Sequence, residues 1–242
     1  MNLNSIIQWF SDFGASFAEG FERNLIHQDR WLSLLRGLGM TVELTVGAIL
    51  LGTILGIILC LMKLSSFKPF KIIAQAYIRV FRGTPLVVQL LIIYFGVFGS
   101  VAILKTVPKE AAAIVAFGLN SAAYIAELLR GGIVAVDQGQ VEAGRSLGLS
   151  SWQTMRYIVL PQGIKIAFPT YTQEFIVLIK ETAIAGYIAL EDLTKKGDII
   201  RSRTFSAWFP LITVAIVYLV LTTTLEIIFG RAERRLRESD NR

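Results

Sequence analysis

The residues that build most buried chemistry are nearly missing from this chain. Among 242 residues there is one cysteine, Cys60, and one histidine, His27. A lone cysteine excludes an intrachain disulfide, and without a Cys/His cluster no zinc site can form. Intramembrane enzymes need a nucleophile–base pair or metal ligands, and this composition equips the chain poorly for either. Charge is also scarce, at 17% of residues against 54% hydrophobic, with a mean hydropathy of +0.59. Both fractions lie outside the range of ordinary soluble domains. No internal repeat and no low-complexity segment is present, so neither a solenoid nor the paired inverted halves of many secondary transporters is indicated. The opening MNLNSIIQWF has neither a basic region nor a small-residue cleavage site, so it is not read as a signal peptide.

What the chain does have is long apolar runs. A spanning helix needs about 20 predominantly apolar residues. Residues 44–62 carry no charge and contain Gly52 and Gly56 at G-x-x-x-G spacing, a pattern that permits close helix packing. Further uncharged runs lie at 83–104, 111–126 and 204–225. Thr84 and Pro85 suit the N-cap and first position of a helix there, with an earlier start near Phe70 as the alternative. A fourth span over about 164–184 is apolar at its centre but contains Glu174. The expected spans are about 41–62, 83–104, 111–129, 164–184 and 205–228. Ahead of them, Ile6, Phe10, Phe13, Phe17 and Phe21 recur at helical spacing, as in an amphipathic helix at an interface; the alternative is a helix that packs on a partner. The organisation read from this is a peripheral segment 1–36, a membrane domain 37–229 and a basic tail 230–242.

Charge sets the orientation. Lys63, Lys68, Lys71, Arg79 and Arg82 fall between the first two spans with no acidic residue among them, and Arg231, Arg234, Arg235, Arg237 and Arg242 follow the last. By the positive-inside rule the N-terminus lies outside and the C-terminus inside, which requires an odd number of spans and is met by about five. The formal net charge of +6 is thereby explained by topology, and a nucleic-acid partner is not indicated. Arg79 and Arg82 are read as snorkelling to the cytoplasmic headgroups, and Glu127 as a structural or interface charge near the cytoplasmic end.

One polar stretch, VEAGRSLGLSSWQTMRYIVLP (141–161), interrupts the apolar pattern, and the topology puts it in the cytoplasm. Asp137 to Leu147 reads as a short helix ended by Gly148 in the left-handed conformation. Ser150 or Ser151 is placed to cap a second helix, and Pro161 to break or kink the chain at the membrane. Glu142-Ala143-Gly144, three residues, Gly148, nine residues and Ile158-Val159-Leu160-Pro161 resemble the EAA loop of ABC importer membrane subunits. The departure is Gly144, where that family more often has Ala. VFRGTPLVVQLL (80–91), NSAAYIAELLRGGI (120–133) and EFIVLIKETAIAGYI (174–188) resemble the polar amino-acid uptake branch of the same family.

The resemblance implies an all-α integral membrane protein of the type I importer permease kind, with about five spans and a cytoplasmic coupling helix at about 137–161. It implies that Glu142, Ala143, Gly144 and Gly148 dock on a separate ATPase, with Arg145 either pairing there or solvated. It also implies a second permease subunit, identical or paralogous, an extracytoplasmic solute-binding protein, an ATPase dimer holding ATP and Mg, and a location in the cell membrane. This chain has no G-x-x-x-x-G-K-[ST] loop and binds no cofactor of its own in this reading. Glu174, Asn120 and Ser121 fall near the middle of their spans, where ionisable and polar groups are costly and usually face a cavity, a solute path or a partner helix. They are the candidate pathway for an amino acid. A secondary amino-acid transporter working without an ATPase is the rival reading.

Overall fold

A computed structural model describes residues 16 and 18–238, and these residues form an all-helical chain. Of the amphipathic pattern near the N-terminus, Ile6, Phe10, Phe13 and Phe17 lie outside the described residues. Phe21 is described, and its ring meets Phe209 edge-on at 6.5 Å. The described part of this segment is pinned: Asn24 is buried and accepts from Thr204 Oγ1 at 2.8 Å, and Arg23 donates to the Thr204 carbonyl. A left-handed Gln28–Asp29 pair then separates it from the first long helix.

That helix, α1, is Arg30–Leu64. Its 35 residues span about 52 Å, more than the ~30 Å hydrocarbon core, so its ends extend beyond it. The buried residues Leu34, Gly37, Thr41, Leu44, Ala48, Gly52, Gly56 and Leu59 recur every three or four positions and form one face. From Leu44 onward that face packs on α4, Lys109–Val134, while Leu34 and Thr41 meet Leu193 instead. At the crossing a Cβ on Gly52 would stand 3.1 Å from Ser121 Cβ, and one on Gly56 would stand 2.8 Å from Ile125. The G-x-x-x-G spacing therefore does set the approach distance.

Between them, the uncharged run at 83–104 holds one long helical stretch, which a sharp break separates from a helix that precedes it. Lys68–Gly83 forms α2, and Leu86–Leu91 forms α3, which continues as a π-helical stretch to Phe98. The two halves meet at an angle of 108° across Thr84 and Pro85. Proline takes the position before α3 rather than its first turn, since Pro85 is itself extended (ψ 134), as is Thr84 before it.

Past α4 comes α5, Gln138–Ser146, then α6, Ser151–Thr154, a π-helical stretch Met155–Val159 and α7, Leu160–Glu181. Pro161 does not break this run. The wider π turn just before it absorbs the missing N–H and the ring clash that an α-helical register would meet there. The chain ends with α8, Leu193–Thr204, capped by the buried Asp192, and α9, Phe209–Glu238. Among the described residues, three helical stretches are long and apolar enough to cross a membrane: 18–64, α4 and most of α9, with the bent α2–α3 pair as a fourth.

Candidate functional site

The polar stretch folds as its cap chemistry dictates. Asp137 accepts from Gly139 N at 2.6 Å to start α5. At its end Leu149 N reaches Gly144 O and Gly148 N reaches Arg145 O, with Gly148 at φ +85. This is a Schellman closure, and the left-handed residue it needs is the glycine. Ser150 and Gln153 then form a reciprocal capping box that starts α6. Glu142, Ala143 and Arg145 are exposed along α5, beside Leu147 (83% exposed) and Trp152 (69%). Gly144 points the other way. It is buried, and a Cβ there would meet Ile158 Cδ1 at 2.6 Å and Thr154 Cγ2 at 3.2 Å. Gly144 therefore faces the following helix rather than a partner, and an added Cβ would press first on the tip of Ile158. Arg145 Nη1 donates to Leu149 O at 2.6 Å, so it also braces its own loop.

This loop joins α4 directly to α7, and the two helices cross near their loop ends with backbone on backbone. A Cβ on Gly132 would collide with Gly163 O and stand 2.8 Å from Ala167 Cβ. Just above, Glu127 takes Lys63 from α1 and Arg130 from its own helix, at 3.1 Å for the latter, closing a three-charge cluster. The reading of Glu127 as a structural charge agrees with that geometry.

The candidate pathway residues divide into two groups. Ser121 Oγ donates to Glu174 Oε1 at 3.0 Å, joining α4 to α7. Asn120 does not join them. Its Nδ2 donates to Gln89 Oε1 at 2.8 Å and Phe81 O at 3.3 Å. Gln89 in turn donates to Phe81 O, Thr84 O and Thr84 Oγ1 at 2.9, 3.0 and 2.7 Å. Carbonyls at a helix C-terminus lack intrahelical partners, and in a low-dielectric setting they must be satisfied. Gln89 and Asn120 do this for the broken end of α2, while Thr84 Oγ1 takes Val80 O.

Gln89 was not singled out in the sequence, because one amide in an apolar run has no periodic signature. The same holds for Thr53, which is 2.7 Å from Tyr171 OH across α1 and α7. Arg82 also differs from expectation. It follows Phe81, whose carbonyl bonds to Asn120, so it stands level with the middle of α4 rather than at the cytoplasmic end. Its guanidinium lies 5.2 Å from the ring centre of Tyr124.

Comparisons with known proteins agree with this arrangement. Residues 48–238 match the family model of the binding-protein-dependent transport system inner membrane component. The chain is similar to the arginine transport system permease protein ArtQ of Bacillus subtilis, 41% identical over 207 residues, 86% of this chain and 94% of that protein. It also resembles a chain in the crystal structure of an amino acid ABC transporter with histidines, with a TM-score of 0.78 and 44% identity over 84% of this chain and 94% of that one. The inward-facing MetNI methionine ABC transporter shares the fold, with a TM-score of 0.72 at 21% identity over 86% of this chain and 98% of that one. A secondary transporter without an ATPase does not fit this membership. A system of this family implies an ATPase, a binding protein and an amino-acid solute. The chain belongs to the binding-protein-dependent inner membrane component family, and it is the permease subunit of an ABC amino-acid importer, not its ATPase.

Proposed function

We propose that a polar amino acid crosses this subunit past Ser121, Glu174 and Asn120, driven by an ATPase dimer that engages the loop at about 137–161. One observation carries this reading. The loop joins α4, which holds Asn120 and Ser121, to α7, which holds Glu174. A push on α5 therefore acts on the two helices whose polar side chains meet. Packed helices that shift as rigid bodies transmit such motion without internal slack. Glu142, Ala143 and Arg145 form the exposed docking face of α5; Gly144 and Gly148 give it its packing and its end.

In this reading α7 is a fifth span beside the four that qualify by apolarity, with the N-terminus outside and the C-terminus inside. Its 22 residues reach about 33 Å, enough for the hydrocarbon core, and its charges sit in a helix packed on α4. Residues 37–229 form the permease domain, 1–36 a peripheral segment and 230–242 a basic cytoplasmic tail. A second permease subunit, identical or paralogous, completes the path, and an extracytoplasmic binding protein delivers the solute. ATP and Mg act in the partner ATPase.

One relative is named for arginine transport and another was crystallised with histidines, and Glu174 would suit a cationic side chain such as that of arginine. Every amino acid carries an α-ammonium, however, so the proposal stays with the polar amino acids as a class. Glu174→Gln and Asn120→Ala each should lower uptake at least tenfold in reconstituted importer. Unchanged uptake kinetics across arginine, histidine and glutamine in both variants would remove the pathway role.

A further inference from the structure

Arginines gather at one place where the topology leaves few basic residues. A cleft of about 370 Å³ lies between the start of α1 and the end of α8, and Arg30, Arg36 and Arg203 line it. In the orientation proposed above it is extracytoplasmic, and short loops on that side normally hold little Lys or Arg. Arg36 and Arg203 are exposed and make no hydrogen bond or ion pair among the described residues. Arg30 donates to Arg23 O and Gln28 Oε1. Asp29 also lines the cleft and offsets one of the three charges. Glu191, on which Arg203 acts through space, is already paired with Lys196.

The surroundings put the cleft at headgroup level. Arg36 is the last charge before residues 37–62, which hold only Glu43. Trp31 and Leu35 are exposed beside it in sequence, and Leu32 and Ile199 give the cleft itself an apolar wall. Phe205 closes α8 in the left-handed conformation and is 93% exposed, and Trp208 follows at 77%. Aromatic and long basic side chains collect at the membrane–water interface, where an apolar body and a polar tip are both satisfied. Bare apolar groups next to unpaired arginines suit a ligand that is apolar at one end and anionic at the other.

We infer that this cleft binds the phosphodiester of an anionic phospholipid, with Arg36 and Arg203 on the phosphate oxygens and Leu32 and Ile199 against the first methylenes. Guanidinium forks pair with phosphate bidentately, and an anionic headgroup adds no positive charge to a cleft that already has an excess. The lipid bridges α1 to α8, near the point where Arg23 donates to the Thr204 carbonyl. The inference rests on the proposed orientation for its leaflet, the outer one, and not for its chemistry.

The test is lipid binding to the purified permease–ATPase complex, delipidated in detergent and read by native mass spectrometry. The probes are phosphatidylglycerol and phosphatidylcholine in equal amounts; the second has the same phosphate but a cationic headgroup. The wild type should hold at least fivefold more of the anionic lipid, and Arg36→Gln/Arg203→Gln should cut that excess at least threefold. An unchanged excess overturns the inference, and so does displacement of the lipid by millimolar inorganic phosphate, which would mark a free-phosphate site. If the double variant keeps its lipid and instead binds the substrate-loaded binding protein at least tenfold more weakly, the cleft docks a protein and the inference fails. Should the double variant not assemble, Arg36→Gln and Arg203→Gln alone should each lower the excess, and no change in either contradicts the inference. The leaflet is tested separately. Ser202→Cys, exposed on α8, should react with a membrane-impermeant maleimide from outside. Reaction from the cytoplasmic side alone would overturn the orientation, and the outer-leaflet assignment with it, whatever the lipid excess.

Discussion

Gly131 and Gly132 are adjacent, yet alanine should act on them in opposite directions. A Cβ on Gly132 collides with Gly163 O and stands 2.8 Å from Ala167 Cβ and 3.1 Å from Ala167 N. Ordinary carbon–carbon contact is about 3.5–4.0 Å, so α4 and α7 would have to separate by roughly 1 Å at this crossing. The obstruction is mostly backbone, which no rotamer change relieves. Overpacking of this kind costs about 1–3 kcal/mol. At Gly131 a Cβ meets nothing within 4 Å. There the only change is the conformational freedom removed from a helical glycine, which favours Ala by about 0.5–1 kcal/mol. Thermal unfolding of the purified importer should therefore fall for Gly132→Ala and hold or rise for Gly131→Ala. Gly132→Ala should also lower transport per ATP, because the crossing lies between the loop and the polar cluster. Equal shifts in the two variants would refute the close backbone crossing.

Two other substitutions test the loop and the helix break. Gly144→Ala displaces only the tip of Ile158 at its closest contact, so the helix gain of up to ~1 kcal/mol should outweigh it, and stability should hold or rise with transport intact; a marked loss of stability would show that Ile158 and Thr154 cannot yield. Gln89→Leu takes the side-chain partner from Thr84 O and one of two partners each from Phe81 O and Asn120 Nδ2, which keep only each other. At about 1–3 kcal/mol for each buried group left unpaired, it should destabilise more than Thr84→Val, and a smaller effect from Gln89→Leu would exclude its role at the break.

Much of this was legible in the sequence because it depends on neighbours in the chain. Asp137, Gly148 and Ser150 report α5 and α6 through cap chemistry that acts within four residues. The polar spacing across 141–161 and the charge asymmetry of the loops are equally local. Thr84 and Pro85 marked a helix start one residue early, but they did not show the sharp bend there; Gln89 and Asn120 hold it, and only the fold brings them together. Asn120 falls midway along α4, and its amide donates to the residues at that break. Pro161 read as an interruption because a π turn leaves no mark in residue types. Arg82 read as a headgroup anchor because its level depends on where α2 stops.

Coupled ATP hydrolysis by the reconstituted importer tests the central claim most directly. Glu142 is exposed on α5 and makes no hydrogen bond or ion pair among the described residues, so Glu142→Lys changes the docking face and leaves the fold alone. The variant should insert and fold normally, and its ATPase should lose stimulation by the substrate-loaded binding protein. Full stimulation in Glu142→Lys would contradict the account.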